Sequence, residues 1–315
     1  MLDLDISADG RWLATASADG KVYIAKPLGA WDVSPVATIP VGYSAGDVKF
    51  DPTDPHRVVT RTWFGKQPQG WRWDSGGGVE RLPEFEIPPS LSPGYLTSLN
   101  ISQDGRLVAA GDYRGNVYLW DARTGKLSGD RALMSSSPAE YGGVAVDPSG
   151  NMLAATSPDG ILLKKLDTGE RPKLLPLPNA NTVAFDQHGE YIVGGARDRG
   201  ALRVWTRDGQ PVHDHELVAH DGSTVGQPSF SSDGRLVAVG TGEGLIEVWD
   251  VHSGRRVMLV QEHSDMVNDV LFLPGGRSRL VSASNDWTIA VFGCEACADP
   301  DAVIRDADRW VGGSN

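Results

Sequence analysis

Residues 228–250 read PSFSSDGRLVAVGTGEGLIEVWD, and this phrase decides the fold. A short alternating segment breaks at Asp233-Gly234, an apolar run LVAVG follows, the chain turns again on glycine, and IEVWD closes the unit. Apolar alternation with period two marks half-buried β-strands, and Asp-Gly between two such runs is a hairpin signal.

Working outward, the same phrase recurs. Upstream it reads VAFDQHGEYIVGGARDRGALRVWT from Val183, VAVDPSGNMLAATSPDGILLKKLD from Val144 and LNISQDGRLVAAGDYRGNVYLWD from Leu99. Before those come VKFDPTDPHRVVTRTWFGKQPQGWRWD from Val48 and LDISADGRWLATASADGKVYIA from Leu4, and downstream stands VLFLPGGRSRLVSASNDWTIAVF from Val270. Seven copies at a spacing of about 40 to 50 residues match the period of propeller blades. Asp9-Gly10, Asp104-Gly105, Ser149-Gly150 and Asp233-Gly234 separate the first two strands of their copies. A second turn follows the third strand in WDSGGG (from Trp73), WDARTGK (Trp120), LDTGE (Leu166), WTRDGQ (Trp205) and WDVHSGRR (Trp249), each expected to hold a glycine at positive φ.

The expectation is an all-β protein: a seven-bladed β-propeller of four-stranded antiparallel blades over residues 1–298, with blades starting near residues 2, 46, 97, 142, 181, 226 and 268. A blade with an apolar face cannot stand alone in water, so the blades stack around an axis and shield one another. Because the chain begins at the innermost strand of blade one, the outer strand of blade seven must come from residues 293–298, where a short strand or none is expected. Residues 299–315 are read as a helical tail: Asp299 caps Pro300, and Val303, Ile304, Ala307 and Trp310 share a face over the ring's seam or outer edge.

The phrases FSSDGRLVA and VWD, with His220 and His263 ahead of their blades, resemble WD40 repeats over roughly residues 1–292. That resemblance implies a buried hydrogen-bonded set of His, Ser/Thr, Asp and Trp within each blade. Blade seven offers His263, Ser282 and Asp286 but has Phe292 at the Trp position. Blade six offers His220 and Trp249, with Glu243 where Asp is expected, and blade one has Thr15 and Asp19 but Ala25 for Trp. Cys294-x-x-Cys297 followed by a helix also resembles the ends of WD-repeat regions in large bacterial signal-transduction ATPases. There the propeller is the sensing end of a longer chain, and the present sequence, without a phosphate-binding Gly-x-x-x-x-Gly-Lys-Ser/Thr loop, would be the sensor part alone.

Composition narrows the function. A net charge of −12 argues against a general nucleic-acid role, which favours a basic surface. No apolar run reaches the roughly 18 residues of a membrane helix, and no secretory leader is read at Met1. The two cysteines, read as an ordinary reduced pair, point to a cytoplasmic setting. They are half of a zinc site, so no metal and no cofactor is expected. No G-x-S-x-G elbow, H-E-x-x-H helix or P-loop occurs, and no catalytic residue is assigned.

What remains is a non-catalytic, monomeric scaffold or sensor that binds a protein or peptide, not nucleic acid or membrane. On WD propellers the loops into the first strands and the turns between second and third strands form the usual partner face. Repeat position places there Tyr95, Thr97, Tyr113 and Arg114 of blade three, Arg197, Asp198 and Arg199 of blade five, and Met266, Asn268 and Asn285 of blade seven. Blade two enlarges its turn to WFGKQPQG, exposing Trp63 and Phe64 for contact, while Trp73 is expected to pack inside. The alternative is a propeller enzyme or small-molecule binder acting at the central channel.

Overall fold

In a computed structural model of the chain, residues 1–26, 34–87, 94–128, 133–134, 142–274 and 279–301 are described. They form seven antiparallel sheets whose innermost strands are Asp3–Ile6, Ala45–Asp51, Leu96–Ile101, Val144–Val146, Ala180–Phe185, Ser229–Phe230 and Val267–Phe272. In each sheet, strands run outward in chain order as a simple meander. Six blades have four strands, Ala37–Pro40 being the outer strand of blade one, and blade seven has three among the described residues. The fold is therefore a seven-bladed β-propeller.

Seven apolar clusters fill the seven gaps between neighbouring blades. Trp12, Ile24, Val48 and Trp73 join blades one and two, for example, and Val193, Leu202, Val237 and Trp249 join five and six. The cluster that closes the circle contains Leu4 and Leu13 of blade one with Leu273, Val281 and Ala283 of blade seven. It holds no aromatic ring, and polar contacts supplement it. Leu4 N donates to Asp269 Oδ2 at 3.3 Å, and Asn268 Nδ2 donates to the Met1 carbonyl at 2.8 Å.

The turn chemistry follows the sequence closely. Gly10, Gly105, Gly150 and Gly234 all sit at φ between 68° and 71°, where an L side chain is strained. Of the five glycines expected after the third strand, the turns at Gly77, Gly125, Gly209 and Gly254 have positive φ, whereas Gly169 in blade four does not. That blade ends on Leu166 instead of Trp-Asp, and its turn follows another course.

One expectation at the C-terminus is corrected, and the outer strand of blade seven, expected to be short or missing, is missing among the described residues. Cys294 and Cys297 are joined by a disulfide, their Cα atoms 5.2 Å apart, so they are not a reduced pair. The reason is local: residues 293–298 supply no outer strand but a helical turn, Glu295–Ala298, which brings positions three apart together. Cys294 caps this turn, its Sγ accepting from Cys297 N at 3.1 Å, and both cysteines are buried against Val257 and Leu280 of blades six and seven. A pair joined in a disulfide gives no support to a reducing compartment. Pro300 and Asp301 are helical, and Asp301 pairs with Arg235 of blade six; residues 302–315, the rest of the expected tail helix, lie outside the described residues.

If the small cluster between blades seven and one holds the ring shut, Leu4→Ala should cost about 3 kcal/mol in urea denaturation. The same change at exposed Leu174 should cost under about 0.5 kcal/mol. Equal effects would show that the gap is not a packed interface.

Candidate functional site

The turns between second and third strands and the loops into the first strands carry a groove between blades two and three. Thr62 ends the second strand of blade two, and Trp63 and Phe64 stand at the following turn. Tyr95 precedes the inner strand of blade three, and Tyr113 and Arg114 occupy its next hairpin turn. Relative exposures are 39% for Trp63, 65% for Phe64, 44% for Tyr95 and 40% for Tyr113. Phe64 meets Tyr95 edge-on at 5.6 Å between ring centroids, and Tyr95 lies 6.1 Å from Tyr113. These rings and Thr97, with Arg61 and Leu96, line a cavity of ≈ 170 Å³.

Backbone contacts hold the rings in place. Leu96 N donates to the Gly65 carbonyl at 2.8 Å, tying the blade-two turn to blade three, and Tyr113 N donates to the Tyr95 carbonyl at 3.0 Å. Behind Tyr113, buried Asp112 accepts from the amides of Gly94, Arg114 and Asn116, from Asn116 Nδ2 and from the Tyr118 hydroxyl. At the base, Arg61 donates through Nε and Nη2 to Asp47, both at 2.8 Å, and through Nη1 to the Leu96 carbonyl. The sequence reading missed Arg61 and Lys66, which stands over the Tyr95 ring at 5.8 Å; Lys66 is the lysine of the enlarged WFGK turn.

The other expected contact residues are placed elsewhere. Met266 and Asn268 line a second cavity, ≈ 200 Å³, at the mouth of the central channel, which Thr97 of the groove also borders. Asn268 Nδ2 donates to Asn285 Oδ1 at 2.8 Å, so blade seven's two asparagines brace one another. In blade five Arg199 pairs with Glu216 and Asp198, Asp198 accepts from Asn179, and the Arg197 carbonyl accepts from Thr224. This trio is engaged in local structure. Trp287, at φ 71° and exposed, occupies the blade-seven turn where blades one, three and six have Gly20, Gly115 and Gly244.

The expected polar tetrads are uneven. In blade seven His263 donates from Nδ1 to Asp286 at 3.0 Å and accepts at Nε2 from the Ser282 hydroxyl at 2.7 Å, the tautomer following from the network. Blade six is built differently. His220 is exposed, its backbone N–H donates to Glu247 Oε1, and Asp221 accepts from the Thr241 hydroxyl. Glu243 is exposed, and Trp249 packs in the core. Blade two supplies an unexpected bond, Trp71 Nε1 donating to Thr60 Oγ1 at 3.0 Å, while Trp73 packs edge-on against Trp12 at 4.8 Å.

The channel is polar. Asp5, Lys49 and Asp269 of blades one, two and seven and Asp186 of blade five line a cavity of ≈ 280 Å³ together with Ala145, Ala184 and Ser229, and Asp3 lines the cavity of ≈ 200 Å³ beside it. The carboxylates satisfy the free edges of the next blade's inner strand: Asp3 accepts from Val48 N at 2.8 Å and Asp5 from Phe50 N at 2.6 Å. Lys49 Nζ donates to both oxygens of Asp3 at 3.0 Å. Burial pushes Asp3 and Asp269 upward, and Asp5 to about 6. Burial also disfavours the Lys49 charge, but Asp3, Asp5 and Asp269 outweigh it and hold the ammonium charged. Among the described residues no group of three or more His, Cys, Asp or Glu side chains is arranged to hold a metal ion.

Fold and site define a seven-bladed propeller with an aromatic patch on its turn face. Residues 1–25, 90–121, 210–250 and 254–292 match the WD40 family, described as WD domain, G-beta repeat. The chain is 37% identical over 82 residues to WD repeat and SOCS box-containing protein 1 of Danio rerio, covering 26% of this chain and 19% of that protein. It is 26% identical over 230 residues to Protein HIR1 of Candida albicans, 68% of this chain and 24% of that protein. WD repeat-containing protein SL1-17 of Schistosoma mansoni is 27% identical over 198 residues, 61% of this chain and 63% of that protein. Against the first two the match spans a quarter or less of the relative's length. These relatives are eukaryotic proteins, and WD40 propellers are typically scaffolds without enzymatic activity.

The channel carboxylates make stability depend on pH. Asp5 is raised in the folded state from 3.8 to about 6, so its favourable contribution is complete below 3.8 and is lost as pH rises through about 6. Thermal melts between those values should show wild-type Tm falling with rising pH relative to Asp5→Asn. Parallel profiles would show that Asp5 ionises freely in the channel wall.

Proposed function

We propose that this chain is a non-catalytic docking propeller that holds a protein or peptide partner in the groove between blades two and three. One observation carries the reading: Trp63, Phe64, Tyr95 and Tyr113 are each more than a third exposed yet adjacent, on turns fixed by backbone hydrogen bonds. Exposed aromatic surface is costly in water unless something covers it, and rigid aromatic anchors are the side chains that dominate binding energy at interfaces. Because the turns are already ordered, little conformational entropy is lost on binding. The similarity to WD-repeat proteins supports a scaffold.

The alternative, a ligand or reaction in the central channel, has the 280 Å³ cavity in its favour. Against it, Lys49 is engaged by Asp3, and the strand-edge amides of Val48 and Phe50 already use Asp3 and Asp5. A sensor role within a larger signalling protein rests on Cys294-x-x-Cys297 opening a helical turn.

The test is affinity capture with the full chain and a Phe64→Ala/Tyr95→Ala/Tyr113→Ala variant, followed by mass spectrometry. We expect the variant to keep its circular dichroism spectrum and Tm and to lose the captured partner by about tenfold or more. Undiminished capture would place the partner on another face. A stoichiometric metabolite co-purifying with both proteins would favour the channel.

A further inference from the structure

The turn that follows blade seven is built around the chain's two cysteines. Cys294 and Cys297 are 1% and 0% exposed, yet Glu295, Ala298 and Asp299 beside them are exposed, so the bond lies under one turn of surface chain. It joins positions three apart, and a cross-link that closes so short a loop takes little freedom from the unfolded chain. The bond therefore acts on its own turn more than on the propeller. A single turn of helix, Glu295–Ala298, does not hold itself together in water. Here it is fixed by the disulfide, by Cys297 N donating to the Cys294 carbonyl and Sγ, both at 3.1 Å, and by packing on the outer strand of blade six, Arg256–Gln261. Past the turn, Arg235 donates bidentately to Asp301 while its Nε donates to Asp250 at 2.9 Å, which ties the segment to blade six a second time.

We propose that the Cys294–Cys297 disulfide is a reversible redox clasp: a dithiol reductant opens it, and opening releases residues 294–301 from blades six and seven. In this step two electrons and two protons pass from the dithiol to the sulfur pair. The S–S bond breaks through a mixed disulfide, Cys294 and Cys297 become thiols, and the reductant leaves as a disulfide. The chain has no third cysteine, so no internal thiol can open the bond and the attacking thiol comes from outside. Release follows from packing. Two thiol sulfurs cannot approach as closely as two bonded ones, and the pair is enclosed by Val257, Leu280 and their neighbours. A close-packed interior resists that expansion, whereas the surface turn is free to swing outward. The ring itself is spared, because the bond joins no two blades and other side chains close the seam between blades seven and one. The clasp is independent of the groove between blades two and three.

The experiment is hydrogen–deuterium exchange by mass spectrometry on the full chain in three states: oxidised, treated with dithiothreitol, and reoxidised with glutathione disulfide. Thiol alkylation counts the free cysteines in each state. Reduction in native buffer is expected to free both thiols and to raise exchange in residues 295–301 about tenfold or more, while the inner strands of blades four and five are unchanged. Reoxidation should restore protection. Cys294→Ser/Cys297→Ser should exchange like the reduced protein whether or not dithiothreitol is present. A bond that yields only after global unfolding would overturn the clasp, as would a turn equally protected with and without the bond. Loss of protection throughout the ring on reduction would also overturn it, since the disulfide would then be a staple of the whole fold.

Discussion

Everything in this molecule depends on the contact by which blade seven meets blade one. Six gaps between blades join consecutive stretches of chain. The seventh joins blade one to blade seven, with Leu4 and Leu13 packed against Leu273, Val281 and Ala283 and hydrogen bonds from Leu4 N to Asp269 and from Asn268 to the Met1 carbonyl beside them. Without it, two apolar blade faces and the inner-strand edges would stand in water, and the remaining interfaces would lose the curvature that sets them against one another. The groove between blades two and three exists only because the ring holds those blades at a fixed angle.

The same closure explains the unusual density of charge in the channel. Seven inner strands converge on the axis with unpaired edge amides, and a buried N–H without an acceptor is expensive. Asp3, Asp5 and Asp269 serve as acceptors for the neighbouring blade, and Asn100 does the same for Val146 N at 3.1 Å. Carboxylates crowded into a dry space would repel one another, and Lys49 offsets part of that charge. The polar channel is thus a device of assembly before it is anything else.

Much of the fold was legible because it rests on local chemistry repeated seven times. Alternating strands, Asp-Gly turns and glycines after Trp-Asp state the blade within some two dozen residues; Gly169 departs from the pattern, and Trp287 stands at a turn position that is glycine in blades one, three and six. Trp63, Phe64, Tyr95 and Tyr113 were each readable as loop or turn residues, but their meeting in one groove depends on how blades two and three pack and shows only in the structure. What the sequence could not supply depends on register or on distance. Leu4 and Asp269 meet across 265 residues, so the channel carboxylates read as ordinary alternation until the ring closes. In blade six Glu247, not Glu243, takes the amide of His220, because strand pairing and not motif spacing decides which acid faces inward. The cysteines read as a reduced pair from their number and spacing, and it is the helical turn at Glu295–Ala298 that brings them together in a disulfide.

Native-state hydrogen exchange tests the closed ring most directly. The closed ring predicts that amides paired between Asp3–Ile6 and Leu13–Ala16, and between Val267–Phe272 and Arg279–Ser284, exchange as slowly as those of blades four and five, all through one global opening. Fast exchange confined to blades one and seven, with the other blades protected, would mean that the ring stands open at its seam and would contradict this account.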